Sequence, residues 1–290
     1  IKKLKNMGLG DDLMITGIVE QEHTKHPEKQ IVIGDLKKNL VFDSIIYLNN
    51  PNITPSDKID RNKPVHFINY NDENRFYINY AKCNDNNLFW RTDFKPIPGK
   101  MYFSKKEVSD AKEILKNANI FWSKNRDIKH KGIIFFESYS TKQNHEFYSH
   151  KMHNKNWGEE NWKKLIKKLN QEYLIIQSVH ETAAKIDGIF YSEKEFDFRT
   201  ACAVINNCNM YLGNEGGFGH AAAALNKKAL IYFGGWISPQ STGYDNHENI
   251  YYDDPHSPCG AIGYICDHCE KARQSIKVDY LEEKVKLLLK

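Results

Sequence analysis

From Gly132 to Phe233, apolar runs of strand length alternate with amphipathic stretches of helix length, and nothing else in the chain limits its fold as tightly. Gly132–Phe136, Tyr173–Gln177, Gly188–Tyr191, Met210–Gly213 and Ala229–Phe233 are short, apolar and bounded by polar or turn residues, which predicts strands. Between them, Glu159–Asn170, Phe198–Asn207 and Gly217–Leu225 have helical spacing. Strands and helices in strict alternation predict a mostly parallel sheet covered on both faces. In such a sheet ligands sit beyond the carboxyl ends of the strands, so the strand-to-helix turns are where chemistry is expected.

The first part of the chain is less regular. Ile31–Gly34, Ser44–Leu48, Val65–Asn69 and Phe76–Tyr80 have strand character, and Gly10–His26 reads as a helix that stops before Pro27. Asn, Asp and Pro gather in Pro51–Arg61 and Asn84–Gly99, which are expected to be loops. A helix over Lys105–Asn117 and a charged connection at Ser123–Lys131 lead into the regular half. With 290 residues there is room for two α/β domains, expected at 1–125 and 126–290. A last helix is expected over Asp279–Leu289, with Asp279 as its N-cap.

Composition narrows the function classes. Hydrophobic residues make up 40% and charged residues 27% of the chain, which is ordinary for a globular protein and unlike a disordered one. A net charge of +4, left over from 41 basic and 37 acidic residues, does not mark a nucleic-acid binder. The lysine-rich stretches suit at most a peripheral contact with an anionic membrane face. No window has the roughly 18 apolar residues that a membrane span needs, and no apolar leader precedes a small-residue cleavage site, so a cytoplasmic protein is expected. Six cysteines in a chain of this size fit a reducing compartment better than a disulfide framework.

Four segments carry residues suited to chemistry. The most informative is Tyr211–Leu225, an apolar strand that passes through Asn214-Glu215-Gly216-Gly217 into a small-residue helix bearing His220. Gly216 and Gly217 let the backbone approach an anion, and the helix start offers free N–H groups with the positive end of the dipole, a fit for a diphosphate. His220 can donate to a phosphate oxygen, and Glu215 can accept from sugar or ribose hydroxyls. A tight strand–helix turn with no ligand is the plainer alternative. The second segment, Lys155–Trp162, places an ammonium before a helix, where it can reach a phosphate or simply be solvated. Its Trp157 and Trp162 are expected in the core. The third is Gly8–Asp12, where a first strand is expected to end; Asp11 or Asp12 there can act as a base or cap the helix. The fourth, Cys259, Cys266 and Cys269 with His256 or His268 nearby, can bind structural zinc, form a disulfide, or remain reduced in a packed loop. Arg199 and Lys142 are further phosphate candidates, weighed against structural or solvated roles. No Asp-x-Asp occurs to hold a divalent metal on a diphosphate.

In order and rough spacing, Gly10-Asp11, Lys155–Trp162, Gly213–Leu225 and Phe233–Tyr244 resemble the heptosyltransferase family, glycosyltransferase family nine. The likeness covers most of the chain and is most specific after Gly132. It implies a GT-B fold: two Rossmann-like lobes facing each other across a cleft, acceptor on the first, nucleotide-sugar donor on the second, and no metal cofactor for catalysis. It also implies that Asp11 is the catalytic base and that Lys155 and His220 serve the donor diphosphate. Where the family has Asp-Thr-Gly this chain has Glu215-Gly216-Gly217, and where it has Gly-Pro-Thr-Asp-Pro this chain has Gly234–Pro239. A longer carboxylate and a lost hydroxyl therefore stand where the donor is read.

The expected activity is an inverting, metal-independent transfer from a nucleotide-diphosphate sugar to a hydroxyl of a glycan, a lipid-linked glycan or another acceptor, as in glycan or lipopolysaccharide-type biosynthesis. The rivals are a nucleotide-sugar epimerase or hydrolase of the same fold, and a non-catalytic nucleotide-sugar binding module. Acceptor dependence separates the transferase from the first, and the effect of Asp11→Ala separates it from the second.

Overall fold

In the computed structural model, residues 8–71, 73–138, 149–178, 186–192 and 196–290 are described. The expected alternation is present in the second lobe as β4 (Ile133–Glu137), α3 (Ser149–Lys155), α4 (Glu159–Leu169), β5 (Leu174–Gln177), β6 (Phe190–Tyr191), α5 (Phe198–Asn207), β7 (Met210–Asn214), α6 (Gly217–Ala224), β8 (Lys228–Gly234), α7 (Pro239–Thr242) and β9 (Glu248–Tyr251). These strands form one all-parallel sheet in the order β6-β5-β4-β7-β8-β9. The strand order reverses between β4 and β7, which makes their carboxyl ends the expected ligand crevice.

Both faces of this sheet are buried, as apolar strands require. On one face Trp162, Leu165, Ile166 and Leu169 of α4 pack with Trp157, Ile134, Phe136 and Tyr232. Full burial of such side chains stabilises by about 2 kcal/mol each. Trp157 and Trp162 are core residues, 0% and 1% exposed, with rings 4.9 Å apart. Closing the chain are α8 (Asp267–Ser275) and α9 (Val278–Leu288). Lys277, not Asp279, caps α9; Asp279 lies in the first turn and pairs with Lys168 at 2.8 Å.

The first lobe is smaller. It comprises α1 (Leu9–Lys25), β1 (Gln30–Asp35), β2 (Leu40–Val41) and β3 (Val65–Asn69), with β1 parallel to β3 and antiparallel to β2. The strand expected before Gly8 lies outside the described residues. Ser44–Leu48 is not a strand: Ile45–Tyr47 forms a 3-10 turn because the Ser44 hydroxyl accepts from Ile46 N. Phe76–Tyr80 keeps only an isolated antiparallel bridge, Ile78 to Trp90, among turns.

The helix expected over Lys105–Asn117 is α2 (Lys105–Asn125), started by a capping box between Ser104 and Glu107. It runs further because Ala118, Phe121 and Trp122 continue the apolar stripe. Those residues pack with Phe135, Ala201 and Val204, so α2 lies on the second lobe although it precedes the expected boundary at 125/126. The first-lobe core, built on Leu13, Ile15, Ile31 and Ile33, extends to Cys202 of α5 and Ala221 of α6. The two lobes therefore meet along α1 and α6, at the carboxyl end of β7.

Candidate active site at the crevice between the lobes

The turn from β7 to α6 is shaped by close approaches. A Cβ on Gly213 would stand 2.2 Å from Glu137 O, so only glycine lets β7 run this near β4. A Cβ on Gly216 would meet nothing within 4 Å, so the space beside this residue is open. Gly217 abuts the first lobe, where a Cβ on Gly10 would lie 3.0 Å from Gly217 Cα and 2.9 Å from His220 Cδ2. Asn214 reaches across to the end of β4, its Nδ2 donating to Ser138 O at 2.5 Å.

Lys155 ends α3 and is set in place by its neighbours. Asn154 is buried and donates to Ala261 O and Tyr264 O while accepting from Cys266 N. After it, Gly158 turns the chain into α4 with φ +100°, a conformation that favours glycine. The Lys155 ammonium pairs with Glu215 Oε2 at 2.5 Å and stands 5.1 Å from the ring centroid of buried Trp236, with Lys151 at 5.3 Å from the same ring. Burial pushes the Glu215 carboxyl up, but Lys155 and then His220 outweigh it and hold the group below the usual carboxylate range.

His220 is buried, its Nε2 3.9 Å from Glu215 Oε1 and its Nδ1 2.9 Å from the Tyr244 hydroxyl. Burial lowers the tendency of its ring to take a second proton, against the pull of Glu215 and Asp11. Burial also keeps the Tyr244 hydroxyl protonated. A Tyr244 hydroxyl that donates to Nδ1 leaves the single ring proton on Nε2, the nitrogen nearer Glu215.

Asp11 and Asp12, in the first turn of α1, have separate surroundings. Asp11 Oδ1 accepts from the Tyr77 hydroxyl at 2.7 Å and from Tyr70 at 3.3 Å, and Arg75 Nε lies 3.5 Å from Oδ2. Asp12 turns toward its own lobe and accepts from Ser44 Oγ at 2.5 Å and Tyr47 at 3.3 Å. Burial raises Asp12 to about 7 in spite of those hydrogen bonds. Gly10, next to Asp11, lies against Gly217 and the His220 ring, so the start of α1 and the α6 turn adjoin each other.

The other expected residues divide. Arg199 is spent on structure: its guanidinium binds both oxygens of Glu107 and the carbonyls of Ile45 and Tyr102. Lys142 lies outside the described residues. Tyr70, Arg75, Tyr77, Trp236 and Tyr244 join the site without having been singled out. Tyr77 fell within an expected strand, and Trp236 and Tyr244 lay in a stretch noted only for its resemblance.

Beside this crevice, ligand atoms of Cys259, Cys266, His268 and Cys269 lie within 4.8 Å of one another. The thiols are free, with the sulfurs of Cys259 and Cys269 3.3 Å apart. His268 Nε2 meets Ser257 Oγ at 2.9 Å, while its Nδ1 is buried without a hydrogen-bond partner. His256 stays outside the cluster, exposed and paired with Asp254. Three thiols and an imidazole with one unsatisfied nitrogen fit a tetrahedral transition-metal ion.

No helix among the described residues is long and apolar enough to cross a membrane. Residues 145–262 match the family model of glycosyltransferase family 9 (heptosyltransferase). Among solved structures, a glycosyl transferase family 9 protein from Veillonella parvula is 13% identical with a TM-score of 0.58, over 98% of this chain and 95% of that one. The iron-containing dodecameric glycosyltransferase TibC from enterotoxigenic E. coli has the same identity and TM-score, over 98% of this chain and 74% of its own. These two likenesses are of fold, the GT-B fold expected from the sequence, although the first lobe's sheet is mixed and not parallel throughout because β2 turns back on β1. No curated protein matches the chain.

Proposed function

We propose that this chain, whose residues 145–262 match the family 9 model, is a glycosyltransferase that transfers a sugar with inversion from a nucleotide-diphosphate donor to a hydroxyl acceptor. The observation that carries the reading is that Gly10, the neighbour of Asp11, lies against Gly217 and the His220 ring at the reversal point of the parallel sheet, beside the Lys155–Glu215 pair. Asp11, aligned by Tyr77 and Tyr70, takes the proton of the acceptor hydroxyl as that oxygen attacks the anomeric carbon. The nucleoside diphosphate departs from the opposite face. Lys155, the Nε2–H of His220 and the N–H groups that open α6 stabilise the charge growing on it, without a metal ion in the reaction. Titratable preparations bearing Asp11→Ala should keep donor binding and lose at least about a thousandfold in transfer rate. Unchanged turnover would remove Asp11 from the reaction.

The donor is read as a nucleotide sugar and the acceptor as a glycan-type hydroxyl. ADP-heptose is the donor named for heptosyltransferases of this kind, including a TibC complex, and is the first to assay. For the cysteine cluster the proposal is a structural metal held by Cys259, Cys266, His268 and Cys269, zinc by the donor set, with iron as the alternative that TibC raises. Such an ion would cross-link α8 to the loop that hydrogen-bonds Gly235 and Trp236. Elemental analysis of purified protein should find about one metal ion per chain, and Cys266→Ser should lower both metal content and melting temperature.

A further inference from the structure

Glu215 occupies the position that matters most for a donor diphosphate. Its carboxylate holds the Lys155 ammonium at 2.5 Å, in a site where both side chains are largely buried. The arrangement is costly to break without replacement, because a buried charge that loses its partner is stranded. It is equally costly to leave intact beside two phosphates, since like charges repel strongly in a poorly solvated crevice. Among the described residues, Lys151 is the other lysine whose charge reaches the carboxylate, and it stands at the same Trp236 ring as Lys155. His220 Nε2 is 3.9 Å from Oε1, beyond hydrogen-bond reach, and the next two residues are glycines with no side chain to offer. The backbone at this point is fixed, Glu215 N donating to Tyr232 O at 2.9 Å, so any rearrangement must come from side-chain rotation into the open space beside Gly216.

We infer that Glu215 is a resident counter-anion, which holds Lys155 while the crevice is empty and exchanges it for hydroxyls of the donor sugar when a diphosphate arrives. Resting on the donor reading above, this makes Glu215 the residue that selects a nucleotide still carrying its sugar over the bare nucleoside diphosphate. A sugar supplies the hydroxyl donors that Glu215 needs once Lys155 has turned to phosphate. The bare nucleoside diphosphate has lost the hydroxyls of the donor sugar and keeps only those of its ribose, on the other side of the diphosphate, so it leaves the carboxylate less well partnered and departs more readily; inorganic pyrophosphate supplies none. A glutamate has the reach and the two acceptor oxygens for a vicinal diol.

The test is calorimetric titration of inorganic pyrophosphate, of ADP, GDP and UDP, and of their sugar conjugates, into wild type, Glu215→Gln and Lys155→Met, each checked by thermal melting. Glu215→Gln should bind pyrophosphate and the bare nucleotide about tenfold more tightly than wild type. Its preference for the sugar conjugate over the bare nucleotide should fall by a similar factor, and Lys155→Met should weaken all of them. Should Glu215→Gln melt early, Glu215→Ala is expected to shift affinity in the same direction. Wild-type binding that Lys155→Met weakens but loss of the carboxylate leaves unchanged, or weakens, overturns this inference alone. If no phosphate compound binds wild type or Glu215→Gln, the diphosphate reading fails and the inference with it.

Discussion

Two buried ion pairs, Arg199–Glu107 and Lys155–Glu215, look interchangeable in a list of contacts, and their surroundings make them opposites. Arg199 is 2% exposed, and its donors are met by a carboxylate and two carbonyls. Glu107 is in turn held by the N-cap of α2, and although burial pushes its carboxyl up, the Arg199 hydrogen bond and the Ser104 cap bring it down to about 2. That pair is closed and ties α5 to α2 and to the Ile45 turn. Lys155–Glu215 is largely buried too, but it has an aromatic ring beside the ammonium and open space at the neighbouring Gly216. A saturated pair is scaffolding, and a pair with room beside it is equipment for a ligand.

Substitutions can break that contrast. The largest stability effect is expected from Arg199→Met, which leaves Glu107 and two carbonyls unpaired and should cost about 3 kcal/mol or more in urea unfolding. Transfer activity per folded molecule should survive it. Lys155→Met should do the reverse: kcat/KM for the nucleotide sugar falls about a hundredfold, while the loss of stability stays smaller than in Arg199→Met because Glu215 can turn toward the open space beside Gly216. If Arg199→Met abolishes activity in fully folded protein, or Lys155→Met unfolds the chain, the division between the pairs is wrong. The smallest effect concerns the two adjacent aspartates. Because Asp12 is raised from 3.8 to about 7, the folded state holds a proton that the unfolded state has released between those values. Stability from this group therefore declines as pH rises from about 4 to 7 and then levels off. Asp12→Asn should remove that decline and melt higher than wild type at pH 8, by about 1–2 kcal/mol once its hydrogen bonds relax, with the gain absent at pH 4.

How much could be read beforehand follows the same line between regular and irregular structure. Strands buried on both faces announce themselves as apolar runs, so β4, β5, β7 and β8 fall where the alternation puts them. The Gly216-Gly217 turn was legible because a strand followed at once by glycines and an alanine helix has few other uses. The first lobe was legible in β1, β3 and α1 but not in its turns, since one serine hydroxyl decides between strand and 3-10 turn at Ser44. The residues around Asp11 were hidden for a different reason: Tyr70, Arg75 and Tyr77 come to it from more than fifty positions away. Nor could sequence tell that Arg199 is spent, because its partners also come from distant segments.

The contact at Gly10 has one more consequence. Its missing Cβ lets the backbone of the first lobe rest against Gly217 and the His220 ring. That contact works as a gauge block: main-chain atoms, which cannot swing aside as side chains do, set how near the start of α1 comes to the α6 turn. A single methyl at residue 10 would act as a shim of several tenths of an ångström between the halves. Reactions that depend on alignment lose rate steeply over such distances.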